Sequence, residues 1–375
     1  MDYVLIPDKF KGSLNAQQVI GALGKGIRKA DPEAVLHSAV LSDGGDGFLE
    51  SIDHYGQYEK VVCEASDPLG KNIQAYYLYD QESQSAYIEM ARTAGLVLLR
   101  ESDRNPMLTS TFGTGMQIRH ALDKGARQLF VGLGGSATND AGLGIAAALG
   151  YHFLDAEHRP LEPIGKNLSR IVGIQKPKDD SFYTKTKIFA INDVNNPLYG
   201  PKGAAHVYAA QKGGSKEDIF KLDQGLRDLD TLMKKEYGVS NALVPGTGAA
   251  GGTAYGLMSF LGAQFVGGTE FVLSVAGVNE ILTEHAVDYI ITGEGKIDDQ
   301  TLSGKLIHGV IELGRTYKIP VIAVCGILDT AMDNLLQQGL SAVIEVRDSS
   351  KPLLYNMENA AALVEQAVHH FFHNK

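Results

Sequence analysis

The stretch QLFVGLGGSATNDAGLGIAAAL, residues 128–149, decides the fold. Gln128–Val131 is an apolar run of strand type, Leu143–Leu149 is an alanine-rich helical run, and the turn between them is dominated by glycine. A strand, a glycine loop and a helix in that order form the repeating unit of an α/β protein with a parallel sheet. The unit aims backbone N–H groups and a helix N-terminus at one point, where an anion such as phosphate fits. Ser136, Thr138, Asn139 and Asp140 stand in the turn where glycine alone would serve, so they are candidate site residues, with Gly134 and Gly135 as candidate phosphate-cradling positions. Asn139 and Asp140 also suit the simpler task of capping the helix. Gly132, Gly134 and Ala137, with Asp155 further on, satisfy a dinucleotide fingerprint as well. Asp140 opposes that rival, because a carboxylate in the first turn repels a pyrophosphate unless a cation intervenes.

The same alternation extends outward to both chain ends. Strand Tyr3–Ile6, helix Ala16–Lys29, strand Val35–Leu41 and helix Asp46–His54 open the chain. Strand Val287–Ile291, helix Leu302–Tyr317, strand Pro320–Cys325, helix Ala331–Gln337, strand Ala342–Val346 and helix Asn356–Phe372 close it. Between them, Val61–Glu64, Ile73–Tyr79 and Ala86–Glu89 follow one another closely across polar turns, which predicts antiparallel strands. A chain of 375 residues exceeds what one hydrophobic core usually supports. The expectation is an α/β protein of two domains: a discontinuous Rossmann-like or flavodoxin-like parallel-sheet domain from residues 1–65 and 279–375, and an inserted α/β domain over 66–278. The cleft between such domains is the default ligand site.

A net charge of -10 argues against nucleic acid and acidic membranes as principal partners, although a local basic pocket could still hold a small anion. No apolar run approaches a membrane span. The N-terminal MDYVLIPDKF enters a strand directly and lacks the pattern of a secretory signal. Two cysteines, Cys63 and Cys325, sit in apolar strand-like contexts and read as buried thiols of a reducing, cytoplasmic setting.

Other loops carry chemistry. PDKFKGSLNA follows the first strand and presents Lys9 and Lys11 at the carboxyl edge of a parallel sheet. LSDGGDGF supplies Asp43 and Asp46, a carboxylate pair suited to Mg²⁺ or a polyol hydroxyl. INDVNNPLYG places Asp193 and Asn195 at a strand end, where a carboxylate could orient a hydroxyl or hold a metal. PGTGAAGGTAYG sets Gly246, Gly248 and Gly251 ahead of a helix as a second possible phosphate cradle. ITGEGKIDDQTLSGK reads as one loop bearing Thr292, Glu294, Lys296, Asp298 and Gln300, a mixed-charge clamp for substrate or nucleotide. The loop GxxxxGK[ST], the HExxH zinc signature, the GxSxG elbow and paired cysteines are all missing.

In this order, DKFKGSL, SDGGDG, NPMLTSTFGTG, GLGGSATNDAG, NDVNNPLYG, PGTGAAGG and TGEGKIDDQ resemble the type I glycerate kinases of bacteria over nearly the whole chain. The resemblance implies ATP- and Mg²⁺-dependent transfer of the γ-phosphoryl group to a hydroxyl of D-glycerate, with 2-phosphoglycerate favoured over 3-phosphoglycerate, in a two-domain fold with its site between the domains. Departures from the family pattern are Lys9 for serine, Asp46 for glutamate, Phe48 for threonine, Ala141 for glycine, Asn192 for cysteine and Thr247 for alanine. The resulting assignment makes Asp193, Lys11 and Asp43 catalytic. Lys9, Asp46, Arg92, Ser136, Thr138 and Asn139 bind glycerate, with Arg92 or Lys11 meeting its carboxylate. Gly134, Gly135, Gly246, Gly248, Gly251, Thr292, Glu294 and Lys296 bind nucleotide, and Asp140, Asp193 and Asp298 bind metal. A homodimer is compatible with the sequence. Two other classes are retained: a nicotinamide-dependent oxidoreductase of a small hydroxy acid, and a non-catalytic binding protein of the same architecture.

Overall fold

A computed structural model of the chain describes residues 1–40, 47–298 and 305–374. Asp43, Asp46 and Gln300 lie outside the described residues. The strands in chain order are β1 (Asp2–Pro7), β2 (Val35–Ser38), β3 (Glu59–Ser66), β4 (Asn72–Asp80), β5 (Ser85–Glu89), β6 (Gln128–Gly132), β7 (His152–Leu154), β8 (Gly173–Gln175), β9 (Lys187–Ile191), β10 (Gln264–Val266), β11 (Val287–Asp298), β12 (Val321–Asp329) and β13 (Ala342–Glu345). The fold is mixed α/β, and the chain forms two compact units, Met1–Asp43 with Thr269–Lys375, and Gly44–Gly268.

The first unit holds a five-stranded sheet in the order β2-β1-β11-β12-β13, parallel throughout. Counted within the unit this is the flavodoxin-like order 2-1-3-4-5, whose switch point lies between its first and third strands. Tyr3 and Leu5 of β1 and Ile322 and Val324 of β12 pack with Val19, Leu23 and Ile27 of helix Ala16–Ala30 and with Val364, Val368 and Phe372 of helix Ala360–His373. Helix Ala16–Ala30 starts where it does because Asn15 accepts the Gln18 N–H while the Gln18 side chain accepts the Asn15 N–H, a reciprocal cap.

The second unit holds a six-stranded sheet in the order β10-β9-β6-β5-β4-β3. β3, β4 and β5 pair antiparallel, as their short polar turns require, whereas β5, β6, β9 and β10 run parallel. Its core gathers Ile88, Leu129, Val131, Ile188 and Ala190 from the sheet with Ile118, Leu143, Ile145, Leu226 and Tyr255 from helices. β3 pairs with β4 along its whole length, from Glu59 opposite Tyr79 to Ser66 opposite Asn72, so it belongs to this sheet and the units divide earlier than residue 65.

One local expectation is corrected. Thr292 to Asp298 is not a loop: β11 continues through it, pairing with β12 as far as Asp298 opposite Asp329. Its glycines mark close approach and not a turn, since a Cβ on Gly293 would lie 2.2 Å from the Val324 carbonyl oxygen. Among the described residues no helix is long and apolar enough to cross a membrane, and Cys63 and Cys325 are buried free thiols.

Candidate active site

In the second unit, the loop after β6 is stitched in place from several directions. The Leu96 N–H donates to the Gly135 carbonyl at 2.9 Å and the Ala137 N–H to the Ala94 carbonyl at 2.8 Å, while the Thr109 hydroxyl donates to the Ala137 carbonyl at 2.9 Å. Gly134 and Gly135 stay at the surface, and every residue from Ser136 to Asp140 is buried. The structure therefore presents a glycine tip on a rigid buried base.

Asp140 is the keystone of that base. Oδ2 accepts the Thr111 N–H and hydroxyl, both at 2.8 Å, and the Gly144 N–H at 3.2 Å; Oδ1 accepts the Gly142 N–H at 3.1 Å. Burial pushes its carboxyl above the usual range, and these four donors push back. Both oxygens accept hydrogen bonds inside the protein, so Asp140 joins the Thr111 segment to the start of helix Leu143–Ala148.

Beneath the same loop lies Lys212, which is 2% exposed. Its Nζ donates to Ser136 Oγ at 2.8 Å and to the Thr138 carbonyl at 2.7 Å. Burial pulls its ammonium down to about 7, against the opposing charge of Asp140. The sequence reading passed over Lys212, because its partners are distant along the chain; its setting among Ala209, Ala210, Gly213 and Gly214 was the one local sign of close packing. The Thr138 hydroxyl and both ends of the Asn139 amide are buried with no hydrogen-bond partner among the described residues.

Two further loops join this one. The Ala141 N–H donates to the Gly251 carbonyl at 3.2 Å, and a Cβ on Gly251 would lie 2.1 Å from the Thr138 carbonyl oxygen. The Gly248 N–H donates to the Asn196 carbonyl at 2.9 Å. Gly246, Gly248 and Gly251 are buried and pack closely against the neighbouring loops. Asp193, half-buried just beyond β9, accepts the Gly268 N–H on Oδ1 at 2.7 Å.

Arg92 is held by neighbouring side chains. Its Nε donates to Glu89 at 3.2 Å, its Nη2 pairs with Glu50, and its guanidinium lies 4.2 Å from the Tyr76 ring centroid. Two carboxylates already engage it, leaving little positive charge for a substrate. Glu89, unmarked in the sequence reading, is 4% exposed and also accepts the N–H groups of Gly47 and Leu49 at the start of helix Phe48–Asp53. Desolvation raises its carboxyl, while Arg92 favours the ionised form. Asp155 of the dinucleotide fingerprint is held by Arg159 at 2.9 Å and by the N–H groups of Glu157 and Arg159 in a tight turn, so it is committed locally.

The first unit carries a cavity of about 710 Å³ at the carboxyl edge of its sheet, at the switch point. Lys9, Lys11, Glu294 and Lys296 line it together, as does Arg347, over an apolar floor that includes Ile307, Ile327 and Leu363. Lys296 bridges Asp298 at 3.4 Å and Asp329 at 2.7 Å, and that pairing raises its pKa. Thr292 is fully buried in β11 and does not line the cavity, and its hydroxyl has no partner among the described residues.

The model of the glycerate kinase family matches residues 3–374. A glycerate kinase of Halalkalibacterium halodurans is 38% identical over 364 residues, covering 97% of this chain and 95% of that one. The glycerate 2-kinase of Escherichia coli is 36% identical over 349 residues, 93% and 91% of the two chains. A crystal structure from Salmonella typhimurium LT2, assigned as glycerate kinase 2, superposes with a TM-score of 0.82 at 35% identity and covers 100% of this chain and 98% of its own.

Proposed function

The chain belongs to the glycerate kinase family and is an enzyme of that kind, and from that premise we propose that it transfers the γ-phosphoryl group of ATP to a hydroxyl of D-glycerate, chiefly to give 2-phosphoglycerate. The observation that carries the reading is the end-to-end match, which takes in every loop described above. The 2-phosphate preference is supported by the relative named glycerate 2-kinase.

Phosphoryl transfer asks for in-line positioning and neutralisation of charge more than for covalent chemistry. In our reading, the surface glycines Gly134 and Gly135, with Ser136, bind an anionic substrate group, and the buried base holds them still. Thr138 and Asn139 act from that base and not by direct contact. Lys9 and Lys11 of the first-unit cavity meet substrate anions, Lys11 offsetting charge on the transferring group, and Glu294 and Lys296 help to hold nucleotide. Asp193, oriented by the Gly268 N–H, accepts the proton of the attacking hydroxyl.

Mg²⁺ takes oxygen ligands from one or two carboxylates together with substrate phosphates. The donor chemistry fits at Asp193, a partly exposed carboxylate just past β9 in the second unit, and, as a separate candidate, at Asp298 at the end of β11 in the first unit; the four hydrogen bonds of the buried Asp140 make it the poorer candidate. When bound, the ion would supply neutralisation of phosphate charge. The cytoplasm is the proposed setting, and a homodimer the proposed assembly where one forms.

The test is ADP release from Mg-ATP with and without D-glycerate, followed by phosphorus NMR of the product. Glycerate-dependent ADP with a 2-phosphoglycerate signal is expected. Folded protein that releases no ADP in the presence of glycerate would overturn the reading, and a 3-phosphoglycerate signal would overturn the regiochemistry alone.

A further inference from the structure

We propose that Lys212 fixes the Ser136 hydroxyl as an outward-facing hydrogen-bond donor, making Ser136 a binding group for an anionic oxygen of the substrate. The inference rests on the kinase reading above and adds a positioning residue to it. An ammonium group has three donors and no acceptor. Ser136 Oγ must therefore accept at the 2.8 Å contact, and its own hydrogen is turned away from Lys212. The second bond, to the Thr138 carbonyl at 2.7 Å, pins the ammonium between two points of one loop, so the hydroxyl cannot follow a wandering lysine. Lys212 is too buried to meet a ligand, whereas Ser136 adjoins the surface residues Gly134 and Gly135. The positive charge behind Oγ also polarises the O–H toward a stronger bond with an anion.

The orientation depends on the lysine proton. A neutral amine gains a lone pair, the Ser136 hydroxyl can turn inward to donate to it, and the outward donor is lost. Asp140 is the acid whose charge reaches Lys212. The backbone of Arg104 packs on the adjoining Gly213, His206 on the preceding helix Ala204–Tyr208 faces Asp223, and helix Ala249–Leu261, braced against the loop, carries no Asp, Glu, Lys, Arg or His. Burial places the Lys212 titration near neutrality, within reach of an ordinary assay.

The experiment measures binding of D-glycerate and of Mg-ADP to the full-length protein by calorimetry, across roughly two pH units either side of neutral, with turnover measured in parallel. One ligand should lose affinity about ten-fold or more on the alkaline side. That loss should be missing in Ser136→Ala and Lys212→Met and displaced to higher pH in Lys212→Arg, which keeps the charge. A loss confined to glycerate identifies a carboxylate oxygen as the guest, and a loss confined to Mg-ADP identifies a phosphate oxygen. Retention of the alkaline loss in Ser136→Ala, wild-type affinity in Lys212→Met, or no binding of either ligand by the wild type would overturn the proposal. Should Lys212→Met fail to fold, Ser136→Ala and Lys212→Arg decide. Absence of glycerate-dependent ADP from the wild type counts against the kinase reading, and the binding measurements still judge the role of Lys212.

Discussion

At the scale of single residues, Asp140, Lys212 and Asp193 divide the work between structure and chemistry. Asp140→Asn replaces an acceptor with a donor opposite N–H groups that have no alternative, so it should destabilise the protein by about 1–3 kcal/mol, read from denaturant midpoints, with activity falling through the loop. Asp193→Asn should leave the denaturant midpoint unchanged and lower turnover by at least tens-fold, since positioned acid–base groups contribute about a hundred- to ten-thousand-fold; near-normal turnover would remove Asp193 from this role. Lys212 gives a pH signature of the opposite sign to a lysine whose pKa a salt bridge raises. Its folded pKa lies below the unfolded value, so the unfolded chain binds more protons between about 7 and the ordinary lysine value of about 10.4. Stability should therefore rise with pH through that window, and Lys212→Met should flatten the rise in urea titrations. Ser136, Asp193 and Lys11 stand out as candidate site residues from the sequence alone. Lys212 and Glu89 do not, because their roles come from partners brought near by folding.

At the scale of elements, periodicity located the strands and helices, but it misjudged where glycine breaks them. TGEGKID reads as a loop by composition, yet β12 offers a partner along its whole length and the backbone stays extended. Of the glycines at the start of helix Ala249–Leu261, Gly251 sits at a kink where Ala250, Gly251 and Gly252 are all left-handed and the loop after β6 presses against it. Gly251→Ala should therefore act as an overpacking change, costing about 1–3 kcal/mol or more. Thermal unfolding with a parallel glycerate KM measurement checks this, and an unchanged melting temperature would show that the two loops give way easily.

At the scale of the whole molecule, the two units own separate cores: residues between Val61 and Ala263 build one, and the two chain ends build the other. A domain with its own core can in principle fold alone. The continuous segment 44–268, expressed by itself, should unfold cooperatively in denaturant with its six-stranded sheet intact; a non-cooperative transition would show that its core is insufficient. The sequence by itself determined the α/β class, the parallel strands at both ends, the antiparallel run before β6 and the family, because hydrophobic period and loop chemistry are local properties written in consecutive residues. Only the tertiary structure decided that β3 joins the second sheet, that Asp140 and Arg92 are already engaged by the protein, and that a buried lysine underlies Ser136. Those outcomes depend on which distant groups satisfy a buried charge or an open backbone edge, and no local pattern records that pairing.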